Sequence, residues 1–380
     1  MTTHRAIVDA LSHSALRGES VVLATVVSVT GSNYGGVGTR MVVRVDGSTV
    51  GVVSGGCLET DLAEHARQAH ADARAIVVTY DTRGDDDAAW GLGLGCNGLI
   101  DVLLEPLPPM QAGAFAVLLE QALEFAAPSV LASVMRSSGA EGAPALGAHA
   151  LFTGREIQTV GDWGYRTELA AAEADAFEAL NAGRRGLTRE YGSVAIAFEV
   201  VVPAVRLVIC GSGPDVVPLV KAGVELGWNL TVVDHRPVEH AHAERFPGAT
   251  VVECEDAIRL ADAVALDGHT AAVVMSHHYA RDLDYVSALL ESDVVYIGVL
   301  GPRARTKRIL AEMTSAGETV RGDERLFAPV GMDIGGDGPD AIALSIIAEV
   351  SAVTSRRAGG HLRDRKGPLH ESPSSATTEI

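Results

Sequence analysis

Between residues 206 and 300 the chain alternates short runs of Val, Ile, Leu and Ala with stretches whose apolar residues recur at helical spacing. The runs at 206–210, 230–234, 250–252, 270–275 and 294–300 are almost wholly apolar, which predicts strands covered on both faces. The stretches between them, ending near Gly227 and Leu290, predict helices. Such alternation joins parallel strands through right-handed crossovers. The fold class expected is therefore α/β, with a C-terminal Rossmann-like, doubly wound parallel sheet over 205–352 that closes with a helix at 339–352.

The first 108 residues have a different rhythm. A short helix over 5–17 precedes β-branched runs at 21–29, 40–45 and 50–53 that glycine clusters separate. A helical stretch at 58–73 and strands at 75–80 and 98–104 follow, before prolines break the pattern at 106–109. This predicts a mixed sheet within an N-terminal mixed α/β domain, 1–108. A helix at 110–126 and a strand from 129 open a connecting segment, 109–204. There Leu131, Ala132, Val134 and Gly139 match Leu23, Ala24, Val26 and Gly31, as in a degenerate repeat packed on the first domain. Residues 353–380, rich in Ser, Pro, Gly and charge, are expected to be a disordered tail.

A hydrophobic share of 47% over 380 residues supports two or three cores. The formal charge of -19 argues against a nucleic-acid partner, because that affinity rests on clustered Lys and Arg. Four dispersed cysteines do not form a disulfide framework, and no run has the ~18 apolar residues of a membrane span. A cytoplasmic protein with no membrane partner is expected.

The sharpest chemical signal is the passage from Leu207 through Gly211-Ser-Gly213-Pro to Asp234-His-Arg236: strand, glycine turn, helix, strand, acid. Gly211 suits a tight turn and Gly213 a close approach to pyrophosphate, while Asp234 can accept hydrogen bonds from ribose hydroxyls. Val216 stands where the fingerprint has its third glycine. Arg236 fits a phosphate-terminated ligand better than plain NAD. His277, at the end of the apolar run 271–275, is placed at the carboxyl edge of the sheet, a candidate acid or base. Gly301 and Arg303 open a segment with Arg305, Lys307 and Arg308, which suits either a phosphate grip or a solvated helix face.

In the N-terminal region Gly35, Gly36 and Gly38 with Arg40, and Gly55 and Gly56 before Cys57, read either as anion-binding nests or as tight turns. Cys57 precedes a predicted helix, whose dipole favours a thiolate; Cys96 lies in a second glycine loop. Each cysteine alone also suits a small buried hydrophobe.

Taken in order, these motifs, with Ser54-Gly-Gly-Cys57-Leu-Glu59, Gly91-Leu-Gly-Leu-Gly-Cys96, Met275-Ser-His277, Tyr296-Ile-Gly-Val-Leu-Gly301 and Met332-Asp-Ile-Gly-Gly-Asp-Gly-Pro339, resemble the XdhC/CoxI family of accessory proteins for molybdenum hydroxylases. The resemblance spans about residues 5–352. It implies binding of the molybdenum cofactor (molybdopterin, plain or nucleotide-extended), assistance in its sulfuration with a cysteine desulfurase or sulfurtransferase, and delivery to an apo molybdenum hydroxylase. It makes a cofactor chaperone the first expectation; an NAD(P)-dependent oxidoreductase is the alternative, and a homodimer is left open. Departures are His278-Tyr279 after Ser276-His277, and Pro302 after Gly301, which removes a backbone donor.

Overall fold

The structure, a computed structural model, describes residues 2–31, 35–81, 98–125, 127–154, 156–181, 186–237, 243–315 and 323–364. They fall into two compact units that divide at Pro203–Ala204.

The N-terminal unit contains two five-stranded sheets. The first is formed by β1 (Val21–Gly31), β2 (Arg40–Arg44), β3 (Thr49–Gly51), β4 (Ile76–Asp81) and β5 (Gly98–Leu107), in the order β3-β2-β1-β5-β4. The second is formed by β6 (Ser129–Arg136), β7 (His149–Phe152), β8 (Ile157–Val160), β9 (Gly186–Tyr191) and β10 (Val194–Val201), in the order β8-β7-β6-β10-β9. The two orders are the same. Helices also recur at like places: α1 (Thr2–Arg17) and α3 (Pro109–Glu124) precede β1 and β6, while α2 (Glu59–Asp72) and α4 (Thr167–Asn181) follow β3 and β8. Every pairing is antiparallel, so the expected mixed sheet is corrected: short hairpin connections permit antiparallel neighbours without a crossover helix.

Period-two alternation decides which face is covered by what. Val22, Ala24 and Val26 of β1 pack with Leu62 and Ala66 of α2; Val130, Ala132 and Val134 of β6 pack with Leu169 and Ala172 of α4. The opposite residues, Leu23 and Leu131, meet α1 and α3 in a core shared by both sheets, with Leu11, Phe115 and Leu119 at its centre.

The C-terminal unit has one parallel sheet of β11 (Arg206–Cys210), β12 (Asn229–Asp234), β13 (Thr250–Glu253), β14 (Thr270–Val274), β15 (Tyr296–Val299) and β16 (Leu326–Phe327). Its order is β13-β12-β11-β14-β15-β16. α5 (Val216–Glu225) and α9 (Pro339–Thr354) cover Leu207 and Ile209 on one face. A short turn of helix, α6 (Leu260–Ala263), with α7 (Tyr279–Leu290) and α8 (Arg303–Ser315), covers Val208 and Cys210 on the other. The sheet is the doubly wound arrangement expected, and its strand order reverses between β11 and β14. Among the described residues no helix is long and apolar enough to cross a membrane.

Candidate functional site

In the C-terminal unit the chemistry-bearing residues converge where β11, β12, β14 and β15 end. Gly211 has φ 135°, and a Cβ there would stand 2.6 Å from the Met275 carbonyl oxygen, so only glycine lets these two loops meet at the switch point. This contact brings the Gly213 turn beside His277. The His277 Nε2 lies 2.7 Å from Asp215 Oδ2, and the His277 backbone adopts φ 59°, the left-handed region. Its imidazole is more than half exposed, so the ring is anchored yet accessible.

The neighbouring strand ends are closed by internal pairs. Asp234 is buried; it accepts from the Arg236 backbone at 2.9 Å, from the Arg236 guanidinium on both oxygens, and from the Ser212 hydroxyl. Burial pushes this carboxyl up, but the Arg236 and Ser212 hydrogen bonds outweigh it and hold the group well below the ordinary carboxylate range. Both the ribose acceptor and the phosphate grip read from the sequence are thereby engaged with each other. Ser276 likewise donates to buried Asp282, whose second oxygen receives Arg305. Arg305 and Arg308 also lie over the Tyr279 ring. Arg303 and Lys307 are exposed and carry no ion pair among the described residues, beside Gly301 with φ 132°.

In the N-terminal unit the loop before α2 is held by Glu59. Its carboxylate accepts from the Val53 and Ser54 amides at 3.0 and 2.8 Å and from the Ser54 hydroxyl at 2.7 Å, while Ser54 Oγ accepts from the Leu58 amide. Burial raises the Glu59 carboxyl, and the Ser54 and Val53 hydrogen bonds more than reverse this, leaving it lowered. Gly55 and Gly56 both have positive φ, and the Gly55, Gly56 and Cys57 amides make no hydrogen bond among the described residues. Cys57 is exposed and stands two residues before the first helical residue. Cys96 lies outside the described residues.

The other glycine loop corrects an expectation. Arg40, read as a ligand contact, is 1% exposed; Nη2 and Nη1 reach Glu199 at 2.5 and 3.2 Å, and Nη1 the Gly38 carbonyl at 2.8 Å. Gly38 has φ 91°, and any Cβ there would overlap the Glu199 side chain. The Gly38 amide donates to the Val26 carbonyl and the Thr39 amide to that of Gly36, so these two amides are engaged within the loop. Gly35 packs on Thr39, while Gly36 faces open space.

The second sheet holds a counterpart that sequence reading missed. The His149 Nε2 lies 2.8 Å from Glu105, and Gly147, with φ 82°, leaves the room that Glu105 needs. Phe115 links the two pairs, 4.4 Å from the His149 ring and under the Arg40 guanidinium. The available signal was a charged residue inside each apolar strand, Glu105 in β5 and Glu199 in β10, since a buried carboxylate requires a partner. Among the described residues no three His, Cys, Asp or Glu side chains converge as a protein metal site requires.

Similarity to known proteins follows this division of the chain. The XdhC Rossmann domain profile matches residues 207–350, and the XdhC and CoxI family profile matches 14–81. A Bacillus subtilis protein, described as a probable component of xanthine dehydrogenase, is 28% identical over 89% of this chain and 94% of its own length. The Escherichia coli molybdenum cofactor insertion chaperone PaoD is 25% identical over 92% of this chain and 88% of its own. The crystal structure of a Bacillus halodurans protein described as a xanthine dehydrogenase superposes with a TM-score of 0.72 at 29% identity, covering 94% of this chain and 98% of that one.

Proposed function

The chain belongs to the XdhC and CoxI family, and on that premise we propose that it binds the molybdenum cofactor as cargo and delivers it to an apo molybdenum hydroxylase. Before delivery it assists exchange of an oxo ligand for sulfur with a cysteine desulfurase or sulfurtransferase. The likeness to an insertion chaperone over most of both chains supports this reading.

The observation that carries it is the Gly55-Gly56-Cys57 loop. Three amides without a partner among the described residues and an exposed thiol stand together at the start of a 14-residue helix, offering hydrogen-bond donors for an anion and a soft ligand for the metal. The cargo brings its own dithiolene sulfurs, so one protein thiolate suffices. Cys96 is retained as a second thiol of this proposal. In the C-terminal unit, Gly301, Arg303 and Lys307 at the start of α8 suit a phosphate, with His277 available as an acid or base beside Gly211 and Gly213.

The NAD(P)-dependent oxidoreductase reading meets three obstacles in the same unit. Val216 replaces the close-packing glycine, Asp234 is saturated by Arg236 and Ser212, and Asp215 puts a carboxylate at the helix start where pyrophosphate would sit. Anaerobic purification with molybdenum and pterin analysis, followed by addition to the apo-hydroxylase with and without a sulfurtransferase, tests the proposal. Bound molybdopterin and client activation are expected. Absence of both, with saturable NAD(P)H binding and turnover, would overturn it.

A further inference from the structure

One carboxylate of the C-terminal unit is turned away from the task its position sets. Asp215 stands at the N-cap of α5, where an acidic side chain ordinarily accepts from the first free amides of the helix. It makes no such bond. Its Oδ2 lies instead 2.7 Å from Nε2 of His277, and only 15% of the Asp215 side chain is exposed. Gly213 makes the room, since a Cβ there would stand 2.5 Å from Asp215 Oδ1.

His277 is held for this contact on both sides. Before it, Asp282 accepts from the Ser276 amide at 3.3 Å and from the Ser276 hydroxyl, and is itself paired with Arg305. After it, the His278 amide donates to Ser276 Oγ at 3.2 Å. Between them His277 takes φ 59°, an unfavourable backbone for a residue with a Cβ, and such strain concentrates at working sites.

The two edges of the ring then differ. Cδ2 lies 3.6 Å from the Cβ position of Gly213 and Nε2 meets Asp215, so this edge packs on the glycine turn. Nδ1, on the other edge, has no hydrogen bond among the described residues, and 58% of the side chain is exposed. An ionised carboxylate can only accept, so the neutral imidazole carries its hydrogen on Nε2 and a lone pair on Nδ1. A carboxylate behind one ring nitrogen orients a base for work at the other.

We propose that Asp215 and His277 form a proton-transfer dyad: Asp215 is the positioning residue, and His277 Nδ1 takes a proton from a ligand bound beside the Gly211 to Gly213 turn. The ligand group there is an O–H, N–H or S–H donor, because Asp215 and Nδ1 both present lone pairs, and any phosphate of the same ligand belongs at α8. Its X–H bond breaks with the electron pair left on X, Nδ1–H forms, and Asp215 stabilises the imidazolium. A part for the dyad in maturing a hydroxylase rests on the cofactor-delivery reading; the tautomer and the reactivity of Nδ1 do not.

The test uses the full-length protein with isotope-labelled histidine. At alkaline pH, long-range nitrogen–proton correlation should show His277 with hydrogen on Nε2 and none on Nδ1. In Asp215→Asn the side-chain amide can donate to Nε2, which moves the hydrogen to Nδ1, while asparagine serves an N-cap as well as aspartate and keeps the fold. Diethyl pyrocarbonate, which acylates an unprotonated ring nitrogen, should modify His277 at Nδ1 in the parent and about tenfold more slowly in the variant. The rate of client activation by the variant should fall about a hundredfold, with its half-saturating concentration unchanged. A parent ring with its hydrogen on Nδ1, or a variant whose tautomer and acylation match the parent's, overturns the dyad. Full activation by a variant whose tautomer has moved overturns its catalytic part. A parent that shows the tautomer and the fast acylation but activates no hydroxylase supports the dyad and fails the delivery reading instead.

Discussion

Replacing Glu199 by leucine should destabilise the N-terminal unit more than any surface change can. Arg40 donates two hydrogen bonds to this carboxylate at 2.5 and 3.2 Å and is 1% exposed, so the variant leaves a guanidinium in the interior with only the Gly38 carbonyl as acceptor. Two hydrogen bonds to charged groups at about 1.5–3 kcal/mol each give a loss of roughly 3–6 kcal/mol. Broken buried ion pairs lose about 3–5 kcal/mol, in agreement. In a unit of this size the melting temperature should fall by roughly 10 °C. Urea unfolding followed by tryptophan fluorescence, in a Trp228→Phe background, reports the N-terminal unit, because Trp228 belongs to the other one. Arg40→Met should lose less, since the carboxylate it leaves behind still has His4 Nε2 at 3.6 Å, whereas the guanidinium left by Glu199→Leu has no ionisable partner among the described residues. The double variant should recover most of the loss, as apolar replacements of buried pairs are often neutral. A Glu199→Leu loss under about 1 kcal/mol, or a double variant whose loss equals the sum of the singles, would refute the argument that an uncompensated charge is responsible.

Four further outcomes are expected. Cys57→Ser should leave stability within about 1 kcal/mol, because the thiol is exposed, yet client activation by added protein should fall sharply. Glu59→Ala removes three hydrogen bonds and should destabilise the unit by about 2–3 kcal/mol; since the folded carboxyl is lowered, its stabilisation is present above the ordinary glutamate range near pH 4.3 and lost as pH falls through the folded value, which acid titration of parent and variant separates. Burial also lowers His4, with Glu199 opposing, so stability should decline as pH falls below about 6.5, and His4→Asn should flatten that part of the curve. Gly213→Val would place its Cβ 2.5 Å from Asp215 Oδ1, so the protein should stay folded while the Asp215–His277 bond breaks and phosphate-bearing ligands bind less tightly, as calorimetry would register.

The parallel sheet was legible because its strands are apolar on both faces and its turns carry glycine: Gly211 could be assigned a tight turn from sequence alone. Its local partners could not. Ser212, Asp234 and Arg236 are the residue types of a ribose and phosphate site, and only the folded chain reveals that they saturate one another. Arg40 misled for a related reason: a cation in a glycine cluster reads as a ligand contact until its partner, 159 residues away, is seen. Antiparallel pairing in the first sheet is set by connections whose geometry composition does not encode. The like order of the two sheets left only four matching side chains as a trace, because alternation can be kept while nearly every residue changes.

The Arg40–Glu199 pair also sets a schedule. At synthesis rates of about 5–20 residues per second, the 159 residues between its members take roughly 8–32 s to emerge, far longer than local helices and hairpins need to form. Throughout that interval the first sheet carries a cation it cannot bury and a Gly38 turn shaped around an absent side chain. The N-terminal half therefore leaves the ribosome unfinished, exposed to holdases and proteases until β10 arrives, and truncation anywhere before residue 199 should yield a chain that never completes its core.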